Sequence, residues 1–189
     1  METRTALIYV AAGAAFGALA GLAVVTGISL HTHHMWLSFL LAGAAGAAVA
    51  GAGIVAVPTR KVAFRDTLAG LALAWGGFCL ALLVRARFNH HANVEAFSYV
   101  FFTLAYSSTV ATSHATAIGQ RDFRFAAAFF ASIGGLIALA AGVRILWLPV
   151  RVPTMRAVIA GALYGAFLWG SIAAARKIFS VDMERFRVP

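Results

Sequence analysis

The sequence predicts an all-α integral membrane bundle of six transmembrane helices, and three observations carry that prediction. Hydrophobic residues make up 62% of the 189 positions and charged residues 11%, against about 45–50% and about 25% in soluble domains. Six apolar runs come close to or exceed the ~20 residues that cross a hydrocarbon core. The connections between them are short and hold most of the charge and three of the four prolines. These features exclude an ordinary soluble globule, a disordered tail and a disulfide scaffold. Cys79 is the single cysteine, so no intramolecular disulfide forms and the residue reads as a small apolar side chain.

The runs follow in order. Thr5–Ile28 opens after Met1-Glu2-Thr3-Arg4. Ala18-Leu19-Ala20 looks like a signal-peptidase site, but the apolar stretch from Thr5 to Leu30 exceeds the roughly 7–15 residues of a signal h-region. A retained helix is therefore expected. Gly13, Gly17 and Gly21 recur every four residues on it. Small residues at that spacing form a flat stripe for close helix packing, commonly within one chain, alternatively in a homo-oligomer or against a partner membrane subunit. Trp36–Val57 repeats the theme with Gly43, Gly46, Gly51 and Gly53. Thr67–Val84 and Ala96–Ile118 form the middle of the chain, and Phe125–Trp147 and Ala157–Ala175 complete the set. Residues 1–175 thus read as one six-helix domain and residues 176–189 as a short, mixed-charge cytoplasmic tail.

Lysine and arginine total 15 against six acidic residues. On a soluble chain such an excess suggests nucleic acid. Here ten of the basic residues fall on the side that holds both termini and the second and fourth loops, and five fall on the other. By the positive-inside rule both termini are cytoplasmic, in the cell (inner) membrane. The charge is spread over loops as an orientation signal and forms no basic face with interleaved aromatics. No nucleic-acid partner is expected, and the lipid bilayer is the main one.

Chemistry-bearing residues gather in two places. His31, His33 and His34 follow the first run, and His90 and His91 follow the third. Both groups fall on the exterior side. Imidazole nitrogens at such spacing suit a divalent metal, with Glu95 as a carboxylate ligand, or a response to exterior pH. The plainer alternative is that they are interfacial polar residues at helix ends. No H-E-x-x-H spacing is present, and no cofactor is otherwise implied. The second place is Ala96–Ile118, the most polar run. Thr103, Tyr106, Ser107, Ser113 and His114 share a face by three- and four-residue spacing. Polar groups in a bilayer normally point into the bundle or a wet cavity, so this face is the expected solute or ion path. The alternative is that the hydroxyls bond back to their own helix. Asp66 and Asp122 read as cytoplasmic boundary residues beside Arg65 and Arg121, which leaves no carboxylate within the spans. That argues against transport coupled through a buried acid. It also places no nucleophile, base and carboxylate at one depth, so no enzyme is expected.

Leu73-Ala74-Trp75 with Arg85, and Phe97, Tyr99 and Phe102-Thr103-Leu104-Ala105, resemble motifs of an uncharacterised family of bacterial multi-pass membrane proteins, a domain of unknown function. The resemblance covers about a third of the chain. The loop between the motifs is shorter here, the family's acidic residues are mostly absent, and no activity is implied. The Tyr99 to Thr103 stretch is also similar to the pore helix of potassium channels. Ala105 to Thr112 contains no glycine, so the filter that would follow is missing. The functional expectation is small-solute or ion permeation. The alternatives are a non-catalytic subunit packed through the glycine stripe and a metal-binding or redox protein that uses the exterior histidines.

Overall fold

A computed structural model describes residues 3–30, 33–56, 60–88, 92–146 and 153–185. Among these the chain is helical, with no strand. The helices are α1 (Thr3–Leu30), α2 (Met35–Gly51), the single turn α3 (Gly53–Ala56), α4 (Arg60–Phe88), α5 (Ala92–Ala117), α6 (Arg124–Leu146) and α7 (Pro153–Arg185). Among the described residues, four segments are long and apolar enough to cross a membrane: Thr3–Leu30, Met35–Val55, Arg121–Ile145 and Pro153–Phe179. α2 and α3 therefore act as one span with a local tightening at Ala52, whose N–H reaches back three residues to the Val49 carbonyl. α4 and α5 have 29 and 26 residues and are uninterrupted, so the Tyr99–Thr103 stretch belongs to a continuous helix.

Each long helix packs on its neighbour in sequence, and α7 closes back onto α1. The partners run antiparallel: Gly13, Gly17 and Gly21 of α1 face Gly165, Gly161 and Ala157 of α7, in reverse order. Gly46 and Gly70 pair in the same way between α2 and α4. At all seven of these glycines a Cβ would run into partner backbone or side-chain atoms. The small side chains thus set the interhelix distance, and dispersion and Cα–H···O contacts take the place that a hydrophobic driving force has in water. Large apolar side chains point outward instead, among them Leu7, Leu19 and Ile28 on α1 and Phe125, Phe129 and Ile137 on α6. An apolar surface of that extent is a membrane-facing feature rather than a scatter of exposed residues.

Two local features position the site. α5 ends in a Schellman motif: the Gln120 N–H bonds the Ala115 carbonyl at 2.9 Å, and the Gly119 N–H bonds Thr116 at 3.1 Å. Gly119 sits at φ +80°, the left-handed region that glycine enters without a Cβ penalty. The turn stops the helix one turn beyond His114. α7 does not end at Ala175, where the sequence suggested a tail. It continues to Arg185, so Arg176 and Lys177 are helical. Arg176 reaches Tyr9 near the start of α1, so the first turns of α1 and the Arg176 turn of α7 lie at the same end of the bundle.

Candidate functional site

The site is a chain of polar side chains inside that end of the bundle. Arg176 Nη1 donates to the Tyr9 hydroxyl at 3.0 Å, Tyr9 lies 2.9 Å from His114 Nε2, and His114 Nδ1 lies 2.7 Å from Asp66 Oδ2. α7, α1, α5 and α4 contribute one residue each. The direction of the bonds follows from the ends. Guanidinium only donates and an ionised carboxylate only accepts, so the Tyr9 oxygen accepts from Arg176 and Nδ1–H donates to Asp66, while the Tyr9 hydroxyl pairs with Nε2. The chain thus runs from a guanidinium at one end to a carboxylate at the other. Tyr9 is 1% exposed, and His114 and Asp66 are fully buried.

Packing holds the chain in place. The Trp169 ring lies edge-on to His114 at a centroid distance of 4.9 Å, and its Nε1–H donates to the Val49 carbonyl at 2.6 Å. That bond occupies a carbonyl next to the tightened turn of α2. Gly53 forms the floor: a Cβ there would lie 2.8 Å from His114 Nδ1 and 2.6 Å from Trp169. Asp66 Oδ1 is buried with no hydrogen-bond partner among the described residues. A buried carboxylate oxygen without a partner is costly, and the rest of the site is otherwise well bonded.

A second polar layer lies two turns along α5. The Tyr106 hydroxyl donates to the Gly46 carbonyl, and Ser107 Oγ is 3.0 Å from the Tyr164 hydroxyl. Thr103 and Ser98 are buried beyond it, while Val110 and Ala111, both fully buried, separate this layer from His114.

Of the face expected from sequence, Thr103, Tyr106, Ser107 and His114 are buried and turned into the bundle. They are packed against neighbouring helices. Ser113 is elsewhere. With Ser108, Thr109, Thr112 and Thr116 it lines an outward groove of about 580 Å³ between α4 and α5, closed on the α4 side by Arg65, Leu68, Ala69 and Ala72. In that groove Thr112 and Thr116 donate to carbonyls four residues back at 2.7 and 2.8 Å, the back-bonding arrangement the sequence left open. Gly13, Gly17 and Gly21 are occupied by α7, so that stripe offers nothing to an outside partner.

His33 and His34 are exposed beside the start of α2. His31, His90, His91 and the Glu95 side chain lie outside the described residues. Among the described residues no three metal-ligating side chains come together.

Two sequence expectations are overturned. Asp66 is no solvated boundary residue: it is fully buried and pairs with His114. A hydroxyl, an imidazole and a carboxylate also do meet at one depth, as Tyr9, His114 and Asp66. Tyr9, Asp66, Trp169 and Arg176 were absent from the expected site, although the sequence holds a signal for three of them. Tyr9 extends the Gly13–Gly17–Gly21 stripe by one step of four, Asp66 does the same for Gly70 and Ala74, and Trp169 for Gly161 and Gly165. Each continues the small-residue face that packs inward.

The chain matches no protein-family profile, no curated protein and no solved structure.

Proposed function

We propose that the protein is a six-span integral protein of the cell (inner) membrane, with both termini cytoplasmic, and that it moves a small ion or solute along the inner face of α5. The observation that carries this reading is the buried polar ladder of that helix. Ser98, Thr103, Tyr106, Ser107 and His114 are all at most 9% exposed. From Ser98 to His114 they cover about 24 Å at 1.5 Å per residue, most of a hydrocarbon core of roughly 30 Å. Polar groups held inside a bundle at membrane depth are expensive and typically mark solute or ion pathways. The Val110 and Ala111 layer between the two polar levels makes the described conformation a closed one. α4 and α5 supply the fifth and sixth spans in this reading, and the Lys/Arg asymmetry puts the Arg176 end in the cytoplasm.

The protein acts without catalysis in this reading. Tyr9, His114 and Asp66 have the connectivity of a hydrolytic triad, and this reading places them at the cytoplasmic end of the path instead.

The test is flux in proteoliposomes, using a pH-sensitive dye, potassium and sodium reporters, and osmotic swelling with water, urea and glycerol. Thr103→Val and Ser107→Ala keep shape and remove a hydroxyl. Each is expected to lower flux of the transported species by about tenfold, the scale of one buried hydrogen bond to a permeant group, with melting temperature nearly unchanged in Thr103→Val and lowered in Ser107→Ala by the lost bond to Tyr164. Wild-type flux in both variants, or no flux of any probe in wild type, would defeat the reading.

A further inference from the structure

We infer that Asp66 Oδ1 is a proton-binding site, so that the species moved or sensed by this bundle is the proton. The inference rests on the permeation reading for its role in transport but not for its chemistry.

Three features of the site select a proton. The first is the free lone pair: Oδ1 is fully buried and has no hydrogen-bond partner among the described residues, while Oδ2 is held by His114. The second is the charge around it. The titratable or charged groups that face the pair are His114 from α5, Tyr9 from α1 and, through Tyr9, Arg176 from α7. α3 presents Gly53, which carries no charge. All the polar groups turned toward the carboxylate are donors. A metal ion needs several oxygen ligands and is repelled by this donor set, whereas a proton needs a single lone pair.

The third feature is what uptake would do. One proton from water adds to the carboxylate at Oδ1 to give the neutral acid, and no other bond changes order. The buried negative charge disappears, so Asp66 pulls less strongly on Nδ1–H. The His114–Tyr9 bond changes with it, and Tyr9 also pairs with Arg176 of α7. The chain thus couples the charge on α4 to the contact between the two terminal helices. Asp66 is the buried carboxylate among the described side chains, while Asp122 is exposed.

The experiment is infrared difference spectroscopy of the full chain in nanodiscs across a pH series, read in the C=O stretch of protonated carboxyl groups. Wild type is expected to show a band that appears as pH falls and shifts in heavy water. It should be absent in Asp66→Asn and retained in Glu95→Gln. A band that persists in folded Asp66→Asn, or no titrating band in wild type, overturns the inference. Should Asp66→Asn not fold, His114→Gln, which keeps a donor for Oδ2, decides the matter. The band moves in frequency if it belongs to Asp66, and an unmoved band overturns the assignment. In proteoliposomes, proton flux should fall by about a hundredfold in Asp66→Asn, the scale of losing a positioned proton acceptor. A titrating Asp66 band without flux of any probe would support the site and refute permeation. Flux of another solute with no such band would do the reverse.

Discussion

The seam between α1 and α7 and the seam between α4 and α5 are built from opposite materials. The first is backbone against backbone: Gly13, Gly17 and Gly21 lie on Gly165, Gly161 and Ala157, with no side chain between. The second carries a buried Asp–His pair on its inner side, while hydroxyls and Arg65 line a groove on its outer side. A seam of glycines has one low-energy spacing, because any approach or slide brings backbone atoms into collision. A seam held by a buried carboxylate depends on its protonation, and so on something outside the protein. The comparison separates what closes the ring from what can respond. The two meet at Tyr9, which lies on the glycine stripe of α1 and bonds the imidazole of α5.

The largest expected effect breaks the first seam. A Cβ at Gly17 would collide with the Gly161 carbonyl, and neither helix backbone can yield without disturbing the contacts on both sides. Gly17→Leu is expected to cost about 3 kcal/mol or more, the upper range of overpacking. It should appear as loss of a monodisperse, cooperatively melting species in detergent. Gly76→Leu is the control. A Cβ there meets nothing within 4 Å, and the change should stay within about 0.5 kcal/mol. Equal melting of the two variants would show that the α1–α7 contact does not set the spacing of the bundle.

How much of this could be read beforehand follows the same division. The six apolar runs, the glycine stripes and the inward placement of Thr103, Tyr106, Ser107 and His114 come from periodicity and composition, which act locally along one helix. Ser113 lies seven residues from the inward Tyr106 and so at nearly the same angle around the helix, and periodicity along α5 does not show that it lines the groove against α4. Asp66 was misread for another reason. Its neighbour Arg65 suggested a solvated pair, yet adjacent helix residues do not face each other. The partner that matters is His114, 48 residues away, and only the packing of α4 on α5 reveals it. The extension of α7 past Ala175 was hidden because charged residues there look like a tail. One of them, Arg176, is instead bonded to Tyr9 across the bundle.

A middle-sized effect probes the second seam. His114→Ala strands the Asp66 carboxylate and removes the imidazole partner of Tyr9, and leaving a buried polar group unpaired costs about 1–3 kcal/mol. Adding Asp66→Asn to that background removes the stranded charge and should recover part of the loss, even though it removes a further native group. Thermal melting of the wild type, both single variants and the double variant forms the cycle. A double variant as unstable as the sum of the two single ones would mean that the residues act independently and that the 2.7 Å contact carries no coupling.

The smallest effect sharpens the comparison by separating the two faces of α5. Thr112 lies in the outer groove, and its hydroxyl donates to the Ser108 carbonyl of its own helix. Thr112→Val keeps the branched shape and removes only that back-bond, which Ser and Thr make in helices with little net gain. Stability should change by less than about 0.5 kcal/mol, and flux should match wild type. Thr103 has the same side chain on the opposite face, buried against α6 beside Gly135, and Thr103→Val is expected to lower flux. The pair therefore compares one chemical change at two positions that composition cannot tell apart. If Thr112→Val were the variant that lost flux, the route would run along the groove between α4 and α5, with Arg65 at its end, and the buried ladder would serve packing alone.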